Sequence, residues 1–379
     1  MNNVTDKYAI REMNENLVLR KVMQQGIISR ANLAKELTLN KTSVSAIVAD
    51  LIDKDLIVET GAGESSGGRK PILLMFNQKA GYSLSFDVGP DYISSLLTHL
   101  DGTFVADAYV KIAITSEAEL LEAITTSIEN YAAIMEKTTY GIAGICVGLH
   151  GIVNNEQLVF SPFYSLDVGK IKEKIKADYN LSVFFENEAN LAALGEQKLK
   201  PEIANLVSMS VKYGIGAGII IDESLYTGAS GHAGEIGHFI AVINGRKCSC
   251  GNHGCIEQYA SEYNILQRYK EVAKLESVNF IKFKQDYLGN RPEAHVIMQQ
   301  FVQYMAIAIN NLITAFNPEI IIINSQITNQ IDGIVDLIQE QLTYKGQGNI
   351  QIKTSSLDRR ATLLGGIHLN IGNFLGIKN

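Results

Sequence analysis

Apolar and polar positions follow different rhythms in different parts of this 379-residue chain. From Asn16 to Met23 the apolar residues recur at helical spacing and stop at Gly26. Ser29 stands where it can cap a short helix through Leu33, Ala34 and Leu37. Asn40 can cap a second, with Val44, Ile47, Val48 and Leu51 on its apolar face. Two short amphipathic helices across a tight turn make a helix-turn-helix pattern. Two apolar runs, 56–60 and 71–76, then flank a polar, glycine-rich stretch, which predicts a β-hairpin in the position of a wing.

From Gly81 the rhythm becomes that of strands. Runs at 82–89 and 92–100 are separated by turn residues and precede a helix predicted from about Glu117 to Lys137, then a strand at 141–148. A second set follows at 206–211, 214–221 and 225–226, with helices from about 257 to 315 and a buried strand at 320–323. Two halves with the same meander-then-helix order predict an α/β, bilobal body with a ligand cleft between the lobes.

Composition adds bounds. Apolar residues are 46% and charged residues 19%, an ordinary globular balance. No stretch has the roughly 18 uninterrupted apolar residues of a membrane span. The polar amino terminus has no signal-peptide run, so a cytoplasmic location and no membrane partner are expected. Residues 1–79 hold 11 Lys/Arg against 9 Asp/Glu, a net of +2, and the remainder 22 against 31, a net of −9. An acidic body under a mildly basic head excludes broad polyanion binding and leaves nucleic-acid contact to the head. There, Lys41, Thr42, Ser43 and Ser45 open the second helix and suit a major groove, while Arg69 and Lys70 at the wing tip suit a narrow, A·T-rich minor groove.

Cysteine usage is the sharpest signal. Cys248, Cys250 and Cys255 fall within eight residues, ten positions after His238. Three thiolates and an imidazole supply the ligands of a closed tetrahedral zinc site, and Gly251 and Gly254 allow the required backbone reversal. Cys146, alone in an apolar run, reads as a buried strand residue.

Gly234-Glu235-Ile236-Gly237-His238 and the run from Cys248 to Glu257 resemble motifs of the ROK family (repressors, open reading frames and sugar kinases), and the resemblance covers nearly the whole chain. It implies a winged helix-turn-helix at 1–78 followed by a bilobal actin-like (ribonuclease H-like) sugar-kinase body at 79–379. The lobes would be roughly 79–190 with the C-terminal helix 361–379, and 191–360. It implies a structural Zn2+ on His238, Cys248, Cys250 and Cys255, and sugar contacts from His150, Asn187, Glu188, Glu235, His238 and Glu257. Taken alone, Asn187 also reads as a helix cap. The loops that hold nucleotide phosphates in family kinases are altered here: Asp87-Val88-Gly89-Pro90-Asp91-Tyr92, Lys212-Tyr213-Gly214-Ile215-Gly216 and Asn324-Ser325-Gln326, with Glu188 in place of the catalytic aspartate. The resemblance therefore implies no enzyme but a repressor of carbohydrate-utilisation genes. Its partners would be a sugar effector, xylose first, and an inverted-repeat operator bound as a homodimer or dimer of dimers. The alternative is an active ATP-dependent sugar kinase carrying a DNA-binding head.

Overall fold

The protein, seen in a computed structural model, is described for residues 7–62, 71–342, 348 and 350–377. In the head, helix α1 (Lys7–Gln25) stops at Gly26, whose φ of 71° breaks the helical path. Strand β1 (Ile27–Ser29) follows, too short to show a period in the sequence. Both expected caps form. Ser29 Oγ accepts from Asn32 N at 3.2 Å to start α2 (Arg30–Glu36), and Asn40 Oδ1 accepts from Ser43 N at 2.7 Å to start α3 (Lys41–Asp53). Val44, Ile47, Val48 and Leu51 are buried as the spacing predicts. Strands β2 (Ile57–Ala62) and β3 (Ile72–Phe76) pair antiparallel and β1 joins them, giving the order β1-β3-β2. Arg69 and Lys70 lie outside the described residues.

The first lobe begins with the antiparallel meander β4 (Tyr82–Val88), β5 (Ile93–His99) and β6 (Phe104–Val110). Helix α4 (Glu117–Ala132) starts on a capping box, Ser116 with Glu119, and ends five residues before the predicted Lys137. Beyond it Ile134 is 59% exposed, while Met135 still packs on the core of the lobe. Strand β7 (Ile142–Leu149) pairs parallel to β4 and buries Cys146, as expected. A hairpin of β8 (Ile152–Asn154) and β9 (Gln157–Phe160), helix α5 (Val168–Tyr179) and strand β10 (Val183–Asn187) complete the lobe in the order β10-β7-β4-β5-β6.

Helix α6 (Glu188–Lys198) leads into the second lobe. There β11 (Leu206–Val211), β12 (Ile215–Ile221) and β13 (Ser224–Leu225) repeat the meander. The predicted helical stretch is four helices, α7 (Glu257–Ala260), α8 (Glu262–Val272), α9 (Phe280–Leu288) and α10 (Pro292–Phe316). By length and composition α10 could cross a membrane, yet its apolar face, from Ala294 to Ile313, is buried in the core of this lobe. Strand β14 (Ile320–Asn324), short helices α11 (Gln326–Gln330) and α12 (Ile334–Glu340) and strand β15 (Gln351–Thr354) give the order β13-β12-β11-β14-β15. The two sheets thus share one topology: a three-stranded meander extended by two parallel strands.

The last helix, α13 (Arg360–Leu375), lies on β4 and β7 and crosses α6, which lies on β11 and β12. The crossing is close because a Cβ at Gly365 would sit 1.7 Å from Leu191 O, and one at Gly195 would sit 2.3 Å from Ala361 O. The apolar core of the head runs on through Leu96 and Leu100 to Ile367, Ile371 and Leu375 of α13.

Candidate functional site

The cleft between the lobes receives the ends of β4, β7 and β10 from one side and the loops after β12 from the other. The β10–α6 junction is decided by Asn187. Its Oδ1 accepts from Ala189 N at 2.8 Å and Asn190 N at 3.0 Å, and its Nδ2 donates to Gly151 O at 2.8 Å. Asn187 is therefore a helix cap, and one of its two amide hydrogens is left without a partner among the described residues. Glu188, next on the helix, is buried, with Oε1 3.8 Å from His150 Nδ1.

Glu235 and His238 come from the loop that follows β13. Gly234 has a φ of 87°, and a Cβ there would lie 1.7 Å from Ala217 O, so glycine alone lets this loop press against β12. Burial, then Glu188 and Glu257, raise the Glu235 carboxyl to about 7. A carboxyl poised near neutrality can both donate to and accept from a hydroxyl. Glu257, at the start of α7, lies 3.8 Å from His238 Nδ1. The glycines of the 214–216 loop leave room for these acids: the Cβ position of Gly214 is 3.1 Å from Glu257 Oε2, and that of Gly216 is 4.0 Å from Glu188 Oε1.

His238, Cys248, Cys250 and Cys255 offer ligand atoms that all lie within 4.8 Å of one another. Cys248 Sγ is 3.5 Å from His238 Nδ1, and the sulfurs of Cys250 and Cys255 are 3.7 Å apart. Three sulfurs and one imidazole at these separations fit a small tetrahedral cation, so the group can hold a metal ion. Gly254 has a φ of 83° and its Cβ would strike Val242 O at 1.7 Å, which confines the hairpin that aims the cysteines. With Nδ1 turned to the sulfurs, His238 Nε2 is left 3.6 Å from Glu235 Oε2, facing the acids.

His150 is buried and engaged on both sides. Its Nε2 is 3.1 Å from Asp87 Oδ1, and Tyr164 OH accepts from its backbone N–H at 2.6 Å. Burial alone would lower its pKa, but Glu188 and Asp87 outweigh that and raise it. The ring walls the cleft between two carboxylates.

The three loops expected to be altered are filled from within. Tyr92 folds back over Gly89, where a Cβ would sit 2.1 Å from its ring, and its hydroxyl donates to Asp87 Oδ2 at 2.8 Å. Tyr213 of the second loop donates to Asp91 of the first, joining the lobes, with Phe163 edge-on to its ring and Tyr263 stacked against it. At the third, buried Glu262 accepts from Ser325 Oγ at 2.7 Å, from Gln326 Nε2 at 3.2 Å and from the Gln326 backbone N–H. The roles of Tyr92, Tyr213 and Glu262 were not legible in the sequence. Tyr213 and Asp91 are 122 positions apart and Glu262 and Gln326 are 64 apart, and nothing local marks either pair.

On the head, Lys41, Thr42 and Ser45 are exposed together at the start of α3, and Ser43 is half-buried beside them. The opposite face of the same helix, Val44, Ile47, Val48 and Leu51, is buried in the core of the head.

The family description that matches residues 83–372 is the ROK family. The xylose repressor of Bacillus subtilis is 34% identical, over 98% of this chain and 98% of its own. The xylose repressor of Staphylococcus xylosus is 36% identical, over 97% and 96%. Among solved structures, a ROK family transcriptional regulator, homologue of the Escherichia coli Mlc protein, superposes with a TM-score of 0.84 at 28% identity, covering 97% of this chain and 98% of its own. A ROK family glucokinase from Streptomyces griseus, in complex with glucose and AMPPNP, shares the fold at a TM-score of 0.68 and 22% identity. It covers 76% of this chain and 99% of its own.

Proposed function

This chain belongs to the ROK family, and we propose that it is a sugar-responsive transcriptional repressor of carbohydrate utilisation, not an enzyme. One observation carries this: each former phosphate loop is filled by the protein's own Tyr92, Tyr213–Asp91 or Glu262, while the Glu188 and Glu235 carboxyls beside the sugar end of the cleft make no hydrogen bond among the described residues. A kinase needs free backbone amides for phosphates. Here those places are taken. The xylose repressors that align along the full chain support the same function, and a DNA-binding regulator of this kind works in the cytoplasm.

The effector sugar lies between Glu188, Glu235, His238 and Glu257, with the remaining Asn187 amide hydrogen beside them and His150 behind. Carboxylates accept strong hydrogen bonds from sugar hydroxyls. Xylose is the first candidate, from the relatives. The metal is Zn2+, held structurally by His238, Cys248, Cys250 and Cys255. It fixes the direction of the His238 ring and so of the wall carrying Glu235 and Glu257. Lys41, Thr42, Ser43 and Ser45 contact operator DNA in the major groove, and Arg69 and Lys70 serve the wing. A homodimer, or a dimer of dimers, places two heads on an inverted repeat. Moving operator occupancy from nearly full to nearly empty requires the sugar to prefer one lobe arrangement by roughly 5 kcal/mol.

Operator binding titrated with xylose, glucose and an N-acetylated hexosamine tests this, beside a coupled ATP assay on the same sugars. A sugar-dependent change in operator affinity with no turnover is expected. Turnover at ordinary kinase rates would replace the repressor with the kinase alternative.

A further inference from the structure

Helix α3 carries the proposed DNA contacts at its start, and the body of the protein grips its other end. Tyr140 OH donates at 2.6 Å to the carbonyl of Lys54, the residue that caps the C-terminus of α3. Thr139 Oγ1 donates to the carboxylate of Asp55, the next residue, whose φ of 57° turns the chain out of the helix. From the link between head and body, Asn77 Nδ2 donates to Asp55 Oδ1 at 2.9 Å and to Asp55 O at 3.0 Å. The Tyr140 ring lies edge-on to Phe374 of α13, with centroids 5.0 Å apart, so packing aims its hydroxyl.

The turn that supplies Thr139 and Tyr140 leads into β7, and the far end of β7 leads into His150 of the cleft. β7 runs parallel to β4 from the pair Ile142–Tyr82 to the pair Leu149–Val88. At the start of these strands Tyr140 N donates to Ala80 O at 2.9 Å and Tyr82 N to Gly141 O at 2.7 Å, so the turn moves with both. At their end Asp87 of β4 meets His150 Nε2 at 3.1 Å. Both strands lie inside their sheet, between β10 and β5. Eight residues at about 3.3 Å each span roughly 25 Å, and a strand bonded along both edges shifts as a unit.

The head is also attached through apolar contacts, with Leu96, Leu100, Ile367, Ile371 and Leu375. Apolar burial resists separation but has no preferred direction, whereas hydrogen bonds weaken steeply off their axis. The angle of α3 to the body is therefore set at Lys54 and Asp55. We infer that, within the DNA-binding function proposed above on which this rests, Thr139 and Tyr140 are positioning residues. They fix the angle at which α3 meets DNA and, through β7 and β4, tie that angle to the state of the cleft.

Operator affinity is measured for the full chain, for Tyr140→Phe, and for Tyr140→Phe combined with Thr139→Val. These changes remove hydroxyls and keep the ring on Phe374 and the branched side chain. Operator binding should weaken about 3-fold in Tyr140→Phe and about 10-fold in the double variant, the worth of one and two directional bonds. Binding to a duplex of scrambled sequence should stay within about twofold, because phosphate contacts tolerate a tilted helix and base contacts do not. Xylose affinity without DNA should also stay within about twofold, while the change that xylose causes in operator affinity shrinks roughly threefold or more. Asn16→Ala removes a different head–body bond, Asn16 Nδ2 to Gly376 O at 2.9 Å, and should leave operator affinity nearly unchanged. Unchanged operator affinity in the double variant, equal loss on both duplexes, or an equal loss in Asn16→Ala overturns the positioning role. A xylose response as large in the double variant as in the wild type overturns the tie to the cleft. A wild type that binds no operator, or binds it without responding to xylose, overturns instead the function or effector proposed above, and is distinct from all of these.

Discussion

The two ends of the cleft are built from similar residue types and differ in whether those residues have partners. At the phosphate end, Tyr92 is bonded to Asp87, Tyr213 to Asp91, and Glu262 to Ser325 and Gln326. At the proposed sugar end, Glu188, Glu235 and Glu257 crowd together; Glu257 accepts from Cys248 Sγ at 2.9 Å, but the Glu188 and Glu235 carboxyls make no hydrogen bond among the described residues, and burial with the neighbouring acids pushes Glu235 up to about 7. Buried polar groups that satisfy one another make a rigid wall, whereas buried polar groups left waiting make a binding site. The proposed loss of phosphoryl transfer and retention of sugar binding therefore rest on the bonding state of the side chains rather than on their identities.

The contrast breaks most completely if the proposed metal is removed. Stripping the ion, or replacing Cys250 with Ser, releases the hairpin that aims His238, and sugar affinity should fall roughly 100-fold or more. Calorimetric titration with metal restored to the stripped protein checks it; unchanged affinity after stripping would show that the metal does not brace the sugar wall. Next in size, Glu257→Ala should weaken sugar about 10- to 100-fold, the worth of one charge-assisted hydrogen bond. Operator affinity without sugar should stay within twofold, and a parallel collapse of DNA binding would make Glu257 a structural residue instead. At the other end, Tyr213→Phe removes the only inter-lobe hydrogen bond at these loops among the described residues. It should shift the sugar concentration needed for half-release of operator by about 2- to 10-fold, and should confer no ATP turnover.

The smallest effect is the pH dependence of His150. Its folded pKa is above the ordinary 6.5 because Glu188 and Asp87 outweigh burial. A raised folded pKa means that the stabilisation is fully present below about pH 6.5 and is lost as pH rises through the folded value. The thermal midpoint of the wild type should exceed that of His150→Gln most at pH 6, and the gap should narrow by about 2–4 °C toward alkaline pH. A gap that widened with pH would mean that His150 is neutral between the two acids.

Much of this was legible in the sequence because it is local. The caps at Ser29 and Asn40 and the buried face of α3 need only the residues within a turn or two. The metal cluster needs only a hairpin and the nearby loop that supplies His238. Substitutions at Pro90, Tyr92 and Tyr213 could be read as damage to phosphate loops, but not as new bonds. What Tyr213 meets depends on how one sheet lies across from the other, and that is set by the crossing of α6 and α13 through Gly195 and Gly365.

The sequence by itself therefore determined the head, the order of the two lobes, the cluster of four residues able to hold a metal and the family, since each is carried by periodicity or by spacing over short stretches. Only the tertiary structure decided that the phosphate end is sealed by its own side chains, that the Asn187 oxygen is spent on a helix cap, and that a turn of the body holds the end of α3. Each of those depends on groups brought together by packing from distant parts of the chain, and hydrogen bonding and desolvation act on that proximity, whatever the separation in sequence.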